Sequence, residues 1–329
     1  MIKYNSILVT GGTGSFGKEF IKTLIKSKTK LKRLVIFSRD EWKQSEMAKE
    51  FPTSKYPFIR YFLGDVRDYE RLKRAFKDID LIVHAAALKQ VPAAEYNPIE
   101  FIKTNIIGAQ NIIEAAMERG VKKVIALSTD KAAAPLNLYG ATKLCSDKLF
   151  IAANNYSGKN IFSICRYGNV MGTRGSVIPL FMNQAKKGKI TITNRNMTRF
   201  NITLAESIEL VLYAMKKSLG SEIFVPKIPS YKITDLAKSV SEKSKIEIIG
   251  TRPGEKIHEE MITSNDSVNT IENSKYFIIL PSLENSKINK YLKHYSAKKT
   301  KEAFSYSSET NGKFLSVKEL KKLIQKNIF

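Results

Sequence analysis

Tyr139 and Lys143 lie four residues apart in the segment Asn137-Leu138-Tyr139-Gly140-Ala141-Thr142-Lys143. On a helix that spacing puts a phenol and an ammonium on one face, one turn apart. A fixed cation favours phenolate, so the Tyr139 pKa is expected to fall from about 10 toward working pH. Just upstream, Thr129, Asp130 and Lys131 follow the apolar run Val124-Ile125-Ala126-Leu127, which reads as a buried parallel strand. That strand delivers the three residues to its carboxyl end, the edge at which open α/β sheets bind ligands. Tyr-x-x-x-Lys alone is a common helical coincidence. Its place after a strand, and downstream of a glycine-rich loop, is what makes it informative.

The loop is Gly11-Gly12-Thr13-Gly14-Ser15-Phe16-Gly17, between the strand Ser6 to Thr10 and a helix from about Lys18. Glycines at 11, 14 and 17 permit a tight turn, close approach of a pyrophosphate and close packing of helix on strand. Thr10, Gly11, Gly14, Ser15, Phe16 and Gly17 are therefore candidate contacts to a dinucleotide. The second strand, Leu34 to Ser38, ends in Ser38, Arg39 and Asp40, with Lys43 further on. Arg39 and Lys43 can meet a 2'-phosphate, which favours NADP, whereas a charged helix start is the structural alternative. After the strand Phe58 to Leu63, Asp65, beside Val66, can accept from an adenine amino group or cap the helix near Tyr69. The strand Leu81 to His84 runs into Ala85, Ala86 and Lys89; the small residues allow a cofactor close approach, and Lys89 can reach the nicotinamide ribose or a substrate. His84 reads as a core histidine. Asn105 either braces the catalytic region or lies exposed.

The 329 residues can bury a full core. The pattern implies an α/β fold, a Rossmann-like doubly wound parallel sheet with a smaller C-terminal substrate-binding lobe. The expected division is 1–170 for cofactor and catalytic residues, 171–283 mostly for substrate, and 284–329 as a Lys-, Ser- and Asn-rich extension. Cys145 and Cys165 offer neither a disulfide framework nor metal spacing, and the three histidines are scattered. No apolar run approaches the roughly 18 residues of a membrane span, and the start leads straight into a strand, so a reduced, soluble cytoplasmic protein is expected. The net charge of +24 comes from lysines spread along the chain, with no nucleic-acid module, so it suits steering of an anionic substrate better than nucleic-acid binding.

Beyond the strand Ile161 to Tyr167, a long glycine-rich loop from Gly168 to Pro179 is placed to close over ligands. Two basic motifs follow, Met197-Thr198-Arg199-Phe200 and Thr251-Arg252-Pro253-Gly254-Glu255-Lys256. Arginines on turns grip phosphate bidentately, and Glu255 can accept from ribose hydroxyls. The candidate substrate contacts are Lys89, Asn169, Val177, Thr193, Met197, Arg199, Arg252 and Glu255.

The glycine loop, Thr129, Tyr139 and Lys143 resemble the extended short-chain dehydrogenase/reductase superfamily. The words Ala126 to Ala133, Asn137 to Lys148, Arg166 to Val170, Phe224 to Ser230 and Arg252 to Lys256 are similar, over nearly the whole chain, to the inverting UDP-N-acetylglucosamine 4,6-dehydratases of pseudaminic acid biosynthesis. Lys131 is the telling position, since relatives that retain configuration at C5 carry glutamate after the aspartate. The resemblance implies that Tyr139 takes the 4-hydroxyl proton during hydride transfer to NADP. It further implies that Lys131 removes the C5 proton, that Asp130 protonates the departing 6-hydroxyl, and that the hydride returns to C6. NADP retained through the cycle, Arg199, Arg252 and Glu255 on the UDP group, and a homo-oligomer, a hexamer, are implied too. Asn201 stands where relatives tend to have Trp, and Ala134 where Asn is expected before Pro135. The rival readings are a related dehydratase with epimerisation in capsule or O-antigen synthesis, and a catalytically silent NADP-binding regulator.

Overall fold

The computed structural model describes residues 4–27, 29–173, 176–281, 285–300 and 303–328. In the first half, strands β1 (Ser6–Thr10), β2 (Arg33–Ser38), β3 (Ile59–Leu63), β4 (Leu81–His84), β5 (Lys123–Thr129) and β6 (Ile161–Tyr167) alternate with helices. The helices are α1 (Ser15–Lys26), α2 (Glu41–Glu50), α3 (Tyr69–Ala75), α4 (Val91–Tyr96), α5 (Pro98–Phe101), α6 (Gly108–Glu118) and α7 (Leu138–Ala153). The second half uses shorter units: β7 (Asn169–Val170), α8 (Val177–Ala185), β8 (Lys189–Ile192), β9 (Thr198–Ile202), α9 (Leu204–Lys217), β10 (Ile223–Pro226), β11 (Ser230–Lys232), α10 (Ile233–Val240) and β12 (Lys245–Ile248). It ends with β13 (Glu260–Ile262), α11 (Ser264–Ser267), β14 (Thr270–Glu272), β15 (Tyr276–Ile279), α12 (Asn285–Tyr295), β16 (Lys298–Lys299), β17 (Tyr306–Ser307) and α13 (Val317–Ile328).

The main sheet runs β16-β14-β15-β10-β6-β5-β4-β1-β2-β3. From β3 to β10 every pairing is parallel, and the last three strands add antiparallel. Helices cover both faces, so β1, β2 and β4 can be apolar almost throughout. Chain order reverses between β1 and β4, and the strands' carboxyl ends part there to leave a crevice. The register sets Thr10 opposite His84 and Thr129 opposite Tyr167 at that edge.

A second, smaller core gathers Ile178 and Phe181 of α8, Ile190 and Ile192 of β8, Leu236 of α10 and Leu320 and Ile324 of α13. The lysine-rich C-terminal segment thus supplies apolar residues to the packing beside the cleft, while Tyr295 of α12 joins the main core. Local signals also decide helix starts. Asp68, not Asp65, caps α3, accepting from the Arg71 amide at 2.9 Å. The expected choice for Asp65 between cap and cofactor contact loses its first branch; its carboxylate is tied to the Arg67 guanidinium instead, at 2.8 Å. Among the described residues no helix is long and apolar enough to cross a membrane, and no group of His, Cys, Asp and Glu could hold a metal ion.

Candidate active site

A cleft of about 1340 Å³ opens at the carboxyl edge of the sheet. It exceeds the roughly 300–1,000 Å³ of a single small-molecule site, so two ligands can share it. Every residue singled out in the sequence for cofactor, substrate or catalysis lines it except Thr10 and Asp130, which lie fully buried behind its wall. Arg174 and Gly175, in the long loop, fall outside the described residues.

One end of the cleft is a glycine-lined cradle. Gly11 adopts φ +64°, and a Cβ there would meet the Ala86 nitrogen at 2.9 Å. Gly17 packs so tightly that a Cβ would lie 2.5 Å from the Gly12 carbonyl oxygen. Between them α1 begins at Gly14 with no side-chain cap and no acid in its first turn, leaving its amides and positive dipole end to a phosphate. Thr10 is structural here. Its hydroxyl bonds His84 Nδ1 at 2.8 Å and accepts from the Ala86 amide at 3.3 Å, fixing the loop after β4. His84 sits against Phe150, and burial, with Lys143 nearby, pushes it down to about 3, so it is a neutral core residue.

The end of β2 carries Ser38, Arg39 and Asp40. Asp40 caps α2 by accepting from the Lys43 amide and is ion-paired with the Lys43 ammonium. Arg39 extends over the edge, half exposed, with Nη1 3.7 Å from Asp65. The acid that would otherwise read a ribose is therefore engaged in its own helix.

The other end is built on the turn between β5 and α7. Thr129 ends the strand and caps a single 3-10 turn, Asp130–Ala132. Asn137 then caps α7, accepting from the Gly140 amide at 2.8 Å, and its own amide donates to the Gly254 carbonyl at 2.8 Å. Gly140 must be glycine: a Cβ would lie 2.3 Å from the Lys131 carbonyl oxygen. The helix is pressed onto the turn, which brings Tyr139 beside Thr129, Asp130 and Lys131. Asn105, on a π-helical stretch Ile102–Ile107, is buried and not exposed. It exchanges bonds of 2.9 Å with the Leu88 backbone in both directions and donates to Thr142 at 3.0 Å, bracing the loop of Lys89 against α7.

Electrostatics alter two expectations. Burial pushes the Tyr139 phenol up to about 12, and Lys131 and the Thr129 hydroxyl, which pull it down, oppose this only in part. Lys143 has its own pKa lowered by burial, with Asp147 opposing. Tyr139 is consequently a phenol at rest. Burial also works against the Lys131 ammonium, but the carboxylates of Asp130 and Glu259 outweigh it and hold its pKa above the usual lysine value. Lys131 thus rests as an acid rather than as the expected base. Its Nζ lies 3.0 Å from Asp130 Oδ1 and 3.0 Å from Glu259 Oε1.

Arg199 is a further correction. It lies in β9, not on a turn, and its guanidinium donates to the carbonyls of Thr198, Lys256 and Ile257 at 2.7 to 2.9 Å. It reaches the cleft as a strap that shapes the Arg252 to Glu255 loop. Lys256 adds a second strap, donating to the Ala133 carbonyl at 2.8 Å. Sequence reasoning missed Lys256 as a tie and missed Glu259 altogether. The signal for Glu259 is strand alternation, which places it on the face of fully buried Met261.

Fold and cleft define a Rossmann-like α/β protein of the extended short-chain dehydrogenase/reductase type. More narrowly, the chain belongs to the family described as "Polysaccharide biosynthesis protein", which matches residues 7–281. Among curated relatives, a UDP-N-acetylglucosamine 4,6-dehydratase (inverting) of Campylobacter jejuni is 52% identical, with 98% of each chain covered. A UDP-glucose 4-epimerase of Rickettsia akari is 42% identical, over 97% of this chain and 95% of that one. Among solved structures, Pen from Bacillus thuringiensis superposes with a TM-score of 0.88 at 39% identity, over 99% and 98% of the two chains. A dTDP-glucose 4,6-dehydratase from Streptomyces venezuelae with NAD bound shares the fold at a TM-score of 0.71 and 20% identity, over 88% of this chain and 97% of that one.

Proposed function

We propose that this protein is an NADP-dependent, configuration-inverting UDP-N-acetylglucosamine 4,6-dehydratase, a hydro-lyase that opens the cytoplasmic route to pseudaminic acid. The observation that carries the reading is the Asp130-Lys131-Glu259 cluster beside Tyr139, because interconversion at C4 alone needs no second acid–base set. The full-length identity to the Campylobacter enzyme supports the substrate. The engagement of Asp40 by α2 and Lys43, with Arg39 at the edge, supports NADP over NAD. Tyr96 and Ile99, exposed close together in sequence, support a homo-oligomer.

Bound in the cradle of Gly11 to Gly17, NADP supplies a reversible acceptor for the hydride that leaves C4 and returns to C6. The residues of the chain handle the protons. Tyr139 accepts the O4 proton while passing its own to Thr129, whose hydroxyl donates to Asp130 Oδ1 at 2.9 Å. The phenol therefore ends as it began, and Asp130 becomes the acid. The resulting 4-keto group acidifies C5; Lys131 takes that proton, and Asp130 gives its own to the departing 6-hydroxyl, releasing water. Asp130 Oδ2, buried with no hydrogen-bond partner, is the oxygen that remains for this transfer. After the hydride reaches C6, a water molecule protonates C5 on the opposite face and inverts it, and the hydroxide left behind takes up the C5 proton that the cluster had retained. Arg252 and Glu255 would hold the uridine diphosphate, with Lys89, Asn169, Val177, Thr193, Met197 and Arg199 around the sugar and nucleotide.

The epimerase reading has the Rickettsia relative in its favour. One experiment separates the two: the NADP-loaded protein is incubated with UDP-N-acetylglucosamine in deuterated water, and the product is examined by NMR. A 6-deoxy-4-keto sugar with inverted, deuterated C5 is expected. Retained oxygen at C6, or retained configuration at C5, defeats the proposal.

A further inference from the structure

The resting ammonium of Lys131 leaves the dehydration with a missing proton acceptor. If Lys131 takes the C5 proton, it must first lose one of its own, and Asp130 is by then occupied by the proton from O4. Glu259 is the group in position to take it. Its Oε1 lies 3.0 Å from Lys131 Nζ, the side chain is 2% exposed, and Oε2 is buried without a hydrogen-bond partner. The backbone around it is fixed on both sides: the Glu259 amide donates to the Ser308 hydroxyl at 2.9 Å, and its carbonyl accepts from the Ser308 amide at 2.8 Å. Arg199 Nε stands 3.7 Å away, close enough to orient the carboxylate without forming a short hydrogen bond. A carboxylate buried only to balance a cation would have its free oxygen paired. Here the unpaired oxygen belongs to a residue that lines the cleft.

We propose that Glu259 is a positioning residue for Lys131 that also holds its proton: one N–H bond of Lys131 breaks, an O–H bond forms on Glu259, and the neutral amine left behind takes the C5 proton. The step needs no partner outside the cluster, since it converts an ion pair into a neutral pair across one hydrogen bond. It rests on the dehydration assigned above. It also accounts for the two anions around Lys131, one for each proton in transit: Asp130 carries the O4 proton to O6, and Glu259 holds the Lys131 proton until it neutralises the hydroxide left when water protonates C5.

The test uses full-length, NADP-loaded protein with UDP-N-acetylglucosamine in deuterated water. Reduction of bound dinucleotide, followed spectroscopically, reports C4 oxidation; deuterium at C5 and water loss report the later steps. Glu259→Gln is expected to keep C4 oxidation within about threefold of the unaltered enzyme while C5 exchange and water loss fall about a hundredfold. Glu259→Asp, which keeps the carboxylate, is expected to recover C5 exchange to within about tenfold, whereas a purely structural role would leave both variants equally impaired. The proposal is overturned if Glu259→Gln exchanges C5 at the unaltered rate, if it loses C4 oxidation and C5 exchange together, or if Glu259→Asp fails to recover exchange. An unaltered enzyme that oxidises C4 but never loses water refutes the dehydratase reading itself, and the two failures are thereby distinct.

Discussion

Replacing Lys131 with Ala removes the cation between two buried carboxylates. In the folded protein Nζ is 3.0 Å from an oxygen of Asp130 and 3.0 Å from one of Glu259, and those side chains are 1% and 2% exposed. Deleting one partner of a buried ion pair costs about 3–5 kcal/mol, because the charge left behind is uncompensated. Lys131 itself is 21% exposed and Arg199 stays 3.7 Å from Glu259, so the lower end applies, about 3 kcal/mol at neutral pH. The pH dependence has a definite sign. The folded variant gains by binding a proton between its two anions, while its unfolded chain, with solvated carboxylates, gains less; its stability therefore falls as pH rises. Unaltered Lys131, with its raised pKa, holds its proton throughout this range. The gap between the two proteins should widen from pH 5 to pH 8, at no more than about 1.4 kcal/mol per unit. Urea denaturation at both pH values measures it, with Lys131→Met as a control that keeps volume without charge. A gap below about 1 kcal/mol, or one equal at the two pH values, would show that the cluster is not an ion triad. The same variant should bind NADP normally and lose no water from substrate; unchanged turnover would remove Lys131 from the chemistry.

Ala134 sits exposed at φ +43°, a conformation that costs a β-carbon but suits Asn. Ala134→Asn should raise stability by about 0.5–1 kcal/mol in urea titrations, and a loss would show that the turn is held by something other than backbone strain. His84, pushed down to about 3 from 6.5, is neutral when folded, so the unfolded chain binds the extra proton and stability falls as pH drops below about 6.5. This one group contributes a slope of about 1.4 kcal/mol per pH unit, and His84→Gln should flatten the pH 7 to 5 stability profile accordingly; parallel profiles would contradict it. Arg39→Ala should weaken NADP binding about tenfold to a hundredfold and leave NAD nearly unaffected in calorimetric titration, whereas equal weakening of both would place the 2'-phosphate elsewhere.

What the sequence disclosed, and what it hid, divides by the range of the interactions involved. Strands β1, β4 and β5, the glycine cradle and the Tyr139 to Lys143 spacing are written in neighbouring residues, and each can be read from a window of a dozen positions. The charge state of Tyr139 cannot, because burial by the whole α7 contact outweighs any single cation within that window. Asp65 reads from the sequence as a possible cap of α3, yet Asp68 makes that cap by accepting from the Arg71 amide while the Arg67 guanidinium holds Asp65. Arg199 reads as a surface grip until the carbonyls of residues 256 and 257, far along the chain, close over it. Glu259 is the extreme case. In Lys256-Ile257-His258-Glu259-Glu260-Met261 it looks like one of two solvated acids, and only the pairing of Met261 and its neighbours beneath the turn of Asp130 buries it against a lysine 128 positions away. A turn whose local words are Thr129, Asp130 and Lys131 therefore takes its resting protonation from Asp130 within it and also from Glu259, a residue that shares no motif with it. The Lys131 amine becomes a base only when that distant carboxylate accepts its proton, so the acid–base character of the site belongs to the tertiary fold rather than to the motif that announces it.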